Sequence, residues 1–301
     1  MPQHLYLRTG PFIFAVKTAC PAVVDEIERL YDPRCILASS AFSDFHVEIR
    51  QPFLRRLFRP QAVFAFEGVT PFLPAPRRHA PAILEWGMNW AISTFAHRFL
   101  IIHAAVVERN GLALILPAPP GSGKSTLCAG LAFRGWRLLS DELTLLRPET
   151  GEITALARPI SLKNESIDVI RKFAPGAVMG TPTEGSSKGT IALVRPPTTS
   201  IDLIDVPAVP RWIVFPKYQA GAALQLTPHP KAAAFIELGN NAMNYNMLGE
   251  DGFEAMADLV ARCEVSDFVY SDLEEAVRFF TAMADGLLAQ DDPAEYSVIH
   301  S

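Results

Sequence analysis

The sequence predicts an α/β protein in two parts: a core of mixed sheet with flanking helices, preceded by a smaller α+β unit. Three observations predict it. An apolar run, Leu112 to Leu116, leads straight into a glycine-rich loop, and a helix-forming stretch follows from Lys124 to Phe133. Upstream, alternating stretches such as Phe42 to Ile49 share the chain with helical spacing at Val23, Val24, Ile27, Leu30 and Tyr31. A Pro-rich turn from Pro71 to Pro81, followed by a helical stretch, offers a connection between the parts, which divides the chain into 1–97 and 98–301. A chain of 301 residues suits one large domain or two modest ones.

Taken in order, Leu5 to Val16 carries strand-like stretches around Gly10-Pro11. Pro21 suits the first turn of a helix. Phe45, Val47 and Ile49 fall on one face of a strand, and Ala62 to Val69 reads as another. Ile83 to Phe95 reads as a helix carrying Leu84, Trp86, Trp90 and Phe95. Leu100 to Val107 reads as one strand, and Asn110-Gly111 after it is a hairpin-turn signal. Gly135 stops the helix that follows the loop, and Trp136 to Leu139 is the next short strand. Leu162 to Phe173 is a candidate helix, and Thr181 to Lys188 reads as a flexible loop. Trp212 to Phe215 is a strand and Lys231 to Leu238 a helix. Ser271 with Glu274 reads as a capping box for a final amphipathic helix from Leu273 to Leu287, and the last dozen residues as frayed.

Composition narrows the function classes. Apolar residues make up 49% and charged residues 20%, a globular balance. A net charge of −5 gives no general affinity for nucleic acid. Cys20, Cys35, Cys128 and Cys263 lie at no metal-ligand spacing and read as free thiols of a reducing cytosol. No apolar run approaches the roughly 20 residues that cross a bilayer. The first residues show no apolar h-region, so the expectation is a cytoplasmic protein without a secretory signal and with neither membrane nor nucleic-acid partner.

The chemistry concentrates in Ala118-Pro119-Pro120-Gly121-Ser122-Gly123-Lys124-Ser125-Thr126. This fits the phosphate-loop pattern G-x-x-x-x-G-K-[ST], with Ala118 where the first Gly usually stands. Pro120, Gly121, Ser122, Gly123, Lys124, Ser125 and Thr126 form the candidate nucleotide-binding stretch. Gly121 and Gly123 permit backbone conformations that turn successive N–H groups toward an anion. The helix beginning near Lys124 adds its positive end. The Lys124 ammonium can reach the outer phosphates, and the Ser125 hydroxyl can ligate magnesium. Strand before and helix after are the context that turns the motif into a site for ATP and Mg2+.

Asp141-Glu142 follows the strand Trp136 to Leu139, one helix and one strand after the loop, a path that returns the acids beside the phosphates. Two chemistries remain open. In a motor-type ATPase Asp141 would hold magnesium and Glu142 would activate water; in a kinase Asp141 would accept the proton of a substrate hydroxyl while Glu142 helps hold the metal. His103 falls in the strand just before the hairpin, one strand from the loop.

From His103 to Glu142 the chain resembles the catalytic domain of bacterial HPr kinase/phosphorylase: His103-Ala-Ala-Val-Val, then Gly121-Ser-Gly-Lys-Ser-Thr, then Arg134-Gly-Trp-Arg-Leu-Leu-Ser-Asp-Glu. Over its whole length it looks like the HPr kinase-related "kinase A" group, through Leu84-Glu-Trp-Gly-Met-Asn-Trp, Arg158-Pro-Ile-Ser-Leu-Lys-Asn-Glu-Ser and Phe215-Pro-Lys-Tyr. The resemblance implies a core of the HPr kinase C-terminal type and transfer of the γ-phosphoryl group of ATP to a serine of a protein or peptide. It implies Asp141 as general base, His103 beside it, Glu142 as the second acid, and Lys124 and Ser125 at the phosphate and metal positions. It is also compatible with a homo-oligomer. Ala104 and Glu142 depart from the family's Gly and Asp, and the Gly-Arg-Asn stretch that serves the reverse reaction is not found.

Arg158, Lys163 and Lys188 are further candidates for contact with substrate or phosphate, Lys188 from a Ser/Gly stretch that could close over the triphosphate. Kinase of a small-molecule hydroxyl and ATP-hydrolysing switch are the alternative functions. Asn240-Asn241 and Asn244-Tyr-Asn have no role legible in the sequence.

Overall fold

The structure is a computed structural model that describes residues 2–40, 42–52, 60–119, 121–186 and 189–291. The N-terminal stretch forms β1 (Gln3–Thr9), β2 (Phe12–Thr18), α1 (Pro21–Leu30), β3 (Ile36–Leu37), β4 (Phe45–Arg50), β5 (Gln61–Phe66), β6 (Ala75–Pro76) and α2 (Ala80–Phe95). Its strands make one sheet in the order β3-β1-β2-β4-β5-β6, antiparallel except where β2 runs beside β4. Alternation decides which face is covered: Phe12, Phe14 and Val16 of β2 and Phe45, Val47 and Ile49 of β4 are buried. α1 brings Val23, Ile27 and Leu30 to the same core, and α2 brings Ile83, Leu84, Met88 and Ile92. α2 lies flush on β5 at Gly87, where a Cβ would come within 2.1 Å of the Phe64 ring.

The chain continues through β7 (Leu100–Ile102), β8 (Ala104–Arg109), β9 (Leu112–Pro117), α3 (Lys124–Ala132), β10 (Arg137–Ser140), β11 (Thr144–Leu146), β12 (Ile153–Thr154) and β13 (Ile160–Lys163). Then come α4 (Glu165–Phe173), β14 (Thr183–Ser186), β15 (Gly189–Val194), α5 (Thr198–Asp202), β16 (Val209–Tyr218), β17 (Gln225–Pro228), α6 (Lys231–Asn241), α7 (Tyr245–Arg262), β18 (Glu264–Tyr270) and α8 (Leu273–Asp291). The central sheet has the order β10-β8-β9-β16-β18-β17. β9, β16 and β18 run parallel, and β10 runs the same way because it is antiparallel to β8, itself antiparallel to β9. Four carboxyl ends therefore share one edge of the sheet, where open α/β sheets place their ligands.

This sheet is covered on both faces, which is why residues 104–107 of β8 and 112–116 of β9 are unbroken apolar runs. Ala105, Val107, Leu114 and Leu116 meet α3 and α8 through Leu127, Leu131 and Phe280. Ala104, Val106, Ala113 and Ile115 meet α6 and α7 through Leu238, Met256 and Leu259. Two small antiparallel sheets, β12-β11-β7 and β13-β15-β14, complete a mixed α/β protein with flanking helices. The N-terminal core is continuous with the rest, since Ile101, Leu143, Leu145, Leu156, Ile201 and Ile204 pack into it. The four cysteines are free and buried. No helix among the described residues is long and apolar enough to cross a membrane.

Four sequence expectations change. The strand read over Leu100 to Val107 breaks at His103: β7 joins a small sheet and β8 the central one, and no periodicity marks a bend inside an apolar run. Of the helix read over Leu162 to Phe173, the start is strand β13, and the helix begins after Asn164, whose φ of +52° turns the chain. Within the segment read as a flexible loop, Thr183–Ser186 pairs with β15, and Lys188 lies outside the described residues. At the final helix the cap is Asp272, whose Oδ1 accepts the Glu275 N–H at 2.7 Å, while the Ser271 hydroxyl donates to the Ala222 carbonyl at 2.7 Å. Residues 292–301, read as frayed, lie outside the described residues.

Candidate active site

β8 and β9 are joined by Asn110 at φ +57° and Gly111 at φ +81°, a tight turn that carries the chain back to the sheet edge where the glycine-rich loop begins. Gly121 and Gly123 have φ of +88° and +89°, backbone that a side chain rarely adopts. At Gly123 there is also no room, because a Cβ would lie 2.5 Å from the Tyr270 hydroxyl oxygen and 2.9 Å from Tyr218 Cβ. Neighbouring strands brace the loop. The Tyr218 N–H donates to the Ser122 carbonyl at 2.8 Å, and the Tyr270 hydroxyl donates to the Gly123 carbonyl at 3.0 Å. The Ser122 hydroxyl is buried without a hydrogen-bond partner.

Lys124 opens α3 and is only 8% exposed. Its Nζ lies 3.5 Å from Nε2 of His103. His103 is fixed in turn by its N–H, which donates to the Asn241 carbonyl at the end of α6 at 2.8 Å. Burial pushes the Lys124 pKa down, Asp141 and Glu142 pull it up, and Lys163 is near enough to lower it further.

Asp141 leaves the carboxyl end of β10. Its Oδ2 accepts the Ser161 N–H at 3.0 Å, and its buried Oδ1 has no hydrogen-bond partner. Burial, with a smaller push from the Glu142 carboxylate, raises its pKa from 3.8 to about 6, against the pull of Lys124, the Ser161 N–H and the Ser125 side chain. The Ser140 hydroxyl accepts the N–H groups of Glu142 and Leu143 at 3.3 and 3.0 Å, and this turns the backbone through the acid pair.

Glu142 is held from the N-terminal part. Its Oε2 accepts from Nδ2 of Asn89 at 2.5 Å, and Oδ1 of Asn89 accepts from Nη1 of Arg158 at 2.5 Å. Nη2 of Arg158 donates to Oε2 of Glu85 at 2.5 Å and to the Glu85 carbonyl at 2.8 Å, and the Tyr31 hydroxyl donates to Oε1 of Glu85 at 2.6 Å. This chain of polar groups, buried at Tyr31, Glu85 and Arg158 and half-buried at Asn89 and Glu142, runs from the end of α1 through α2 to the acids. Burial and the Glu85 carboxylate raise the Tyr31 pKa, while Glu85 and Tyr31 outweigh the burial penalty on Arg158. A cleft between α2 and the acids is lined by Trp86, Asn89, Asp141, Glu142, Arg158 and Ser161, among others.

The structure thus brings together His103, Gly121, Ser122, Gly123, Lys124, Ser125, Asp141 and Glu142. Thr126 sits half-buried in the first turn of α3, and Lys163 ends β13 close by. Arg158 is not the open cation read from the sequence: it is 6% exposed and paired with Glu85 and Asn89. Pro120 and Lys188 lie outside the described residues. Glu85, Asn89 and Tyr218, which fall in segments that carry the resemblance but have no site role there, and Tyr270, which no motif marks, touch the site or its loop. Glu85 and Asn89 had a signal, two polar residues four apart on one face of an apolar helix.

The left-handed glycines, the unpartnered Ser122 hydroxyl and the buried ammonium form an anion cradle at a helix N-terminus. Among the described residues no group of three or more His, Cys, Asp or Glu could hold a metal unaided. Ser125, Glu142 and phosphate oxygens together are the kind of donor set magnesium takes.

No protein-family model matches the chain, and no curated protein matches it. Among solved structures it is similar to the Hpr(Ser) kinase/phosphatase from Coxiella burnetii at 10% identity and a TM-score of 0.28, over 64% of this chain and 99% of that one. The likeness is distant, and the chemistry rests on this chain's own residues.

Proposed function

We propose that the protein is a kinase that transfers the γ-phosphoryl group of ATP to a serine hydroxyl of a protein or peptide. One observation carries the reading: Asp141, buried with its Oδ1 unpartnered, is near enough to the buried ammonium of Lys124, at the end of the glycine-rich loop, for the two charges to interact. Bound Mg2+ would supply charge neutralisation of the phosphates, with Ser125 and Glu142 as its protein-side contacts. Loop amides and Lys124 would orient the triphosphate and hold the charge that develops on it. Asp141 would take the proton of the incoming hydroxyl, a task that a pKa of about 6 suits at neutral pH, where it is ionised yet basic. His103 would keep Lys124 in place. The hydrogen bond from Asn89 favours Glu142 as a fixed contact to the metal over a water-activating base, which supports the kinase over the ATP-hydrolysing switch.

The test uses γ-labelled ATP with candidate serine peptides and a panel of small alcohols. The expected result is label on a peptide serine with the wild-type chain and none with Lys124→Ala or Asp141→Asn, the latter still binding ATP. Label released only as free phosphate would replace the kinase with the switch. Label found only on a small alcohol would move the acceptor class.

A further inference from the structure

The acids, His103 and Lys124 fix where the outer phosphate must lie. All stand on the β8–β10 flank of the loop, so the reacting end of a triphosphate is held there. The other end has to leave over the opposite flank, where β16 and β18 deliver Tyr218 and Tyr270 at the same sheet edge. Tyr270 is buried and spends its hydroxyl on the Gly123 carbonyl. Tyr218 is different: the residue is 52% exposed although its backbone N–H is clamped to the loop. Its Cβ lies against Gly123, and its ring stands edge-on to Tyr270, with centroids 5.8 Å apart and planes at 72°.

Resting on the phosphate-loop reading above, we infer that the Tyr218 ring is the platform on which the base of the bound nucleotide stacks. An aromatic face at the mouth of a phosphate site matches a flat heterocycle, and a base stacked on a tyrosine contributes strongly to nucleotide affinity. Ser122 holds the Tyr218 backbone and Tyr270 meets one edge of the ring, so less is left to immobilise on stacking than for a side chain without such contacts. Stacking reads the π-face of a base and not its hydrogen-bonding edge. The site therefore takes purine nucleotides as a class and holds ATP and GTP with similar affinity, with a pyrimidine triphosphate weaker.

Calorimetry with magnesium complexes of ATP, GTP and inorganic tripolyphosphate tests this on the full chain and on Tyr218→Ala and Tyr218→Phe. Tripolyphosphate carries the phosphates without the base. The expected result is about a tenfold loss of ATP and GTP affinity in Tyr218→Ala, unchanged tripolyphosphate affinity, and wild-type behaviour in Tyr218→Phe. An unchanged ATP affinity in Tyr218→Ala would overturn the inference by placing the base elsewhere. An equal loss for tripolyphosphate would overturn it by reducing Tyr218 to a brace of the loop. A wild-type chain that takes up neither ATP nor tripolyphosphate would instead remove the phosphate-loop reading itself, an outcome distinct from the other two.

Discussion

Replacing Asp141 with Asn should make the free protein more stable at neutral pH while ending turnover. The carboxyl is buried, and its pKa rises from 3.8 in an open chain to about 6 in the fold. Folding therefore favours the protonated form. As pH climbs from about 4 to 6 the unfolded chain gives up this proton first, and the folded state loses stability over that window. Above pH 7 the ionised side chain costs the fold about 3 kcal/mol relative to its protonated state. An amide keeps the acceptor oxygen for the Ser161 N–H and carries no charge to bury. Urea unfolding at pH 4.5 and pH 8 should then show Asp141→Asn ahead by about 1 kcal/mol at the lower pH and by up to about 3 kcal/mol at the higher. A variant that gains nothing on wild type between the two pH values would refute the assignment of a strained, buried carboxylate at this position.

Three further outcomes follow from the contacts. Arg158→Met strands the Glu85 carboxylate inside the protein and should cost about 3–5 kcal/mol, whereas the double change Glu85→Gln with Arg158→Met should recover most of it; denaturant titration decides, and equal losses in single and double variants would mean the pair is not coupled. Gly123→Ala forces a methyl against Tyr270 at a φ of +89° and should abolish ATP uptake in calorimetry. Gly121→Ala, where nothing lies within 4 Å of the added carbon, should cost only the backbone strain of about 1–2 kcal/mol.

What the sequence made legible was local. Gly121 and Gly123 between an apolar strand and a helix leave little choice of structure, and Asn110-Gly111 dictates its own turn. The acids were placed by counting one helix and one strand from the loop. What stayed hidden depends on partners far along the chain. Arg158 looks like a surface cation until Glu85, 73 residues earlier, is found beside it. The break at His103 is invisible because both halves of the run are apolar and fully buried, one in each of two sheets. Asn244, without a role in the sequence, is buried and closes the edge of β7: its side chain accepts the Ile101 N–H at 2.9 Å and donates to the Phe99 carbonyl at 2.7 Å.

The bend at His103 has a counterpart across the ladder. β7 pairs with β11 and β8 with β10, so residues 100–109 and 137–146 make one long ribbon, creased at the level of His103 and Asp141. On one side of the crease the ribbon belongs to the central sheet; on the other, Ile101 and Leu145 are embedded in the N-terminal core. The fold line therefore falls where the N-terminal core meets the central sheet, and the Lys124–His103 and Asp141–Ser161 contacts sit along it.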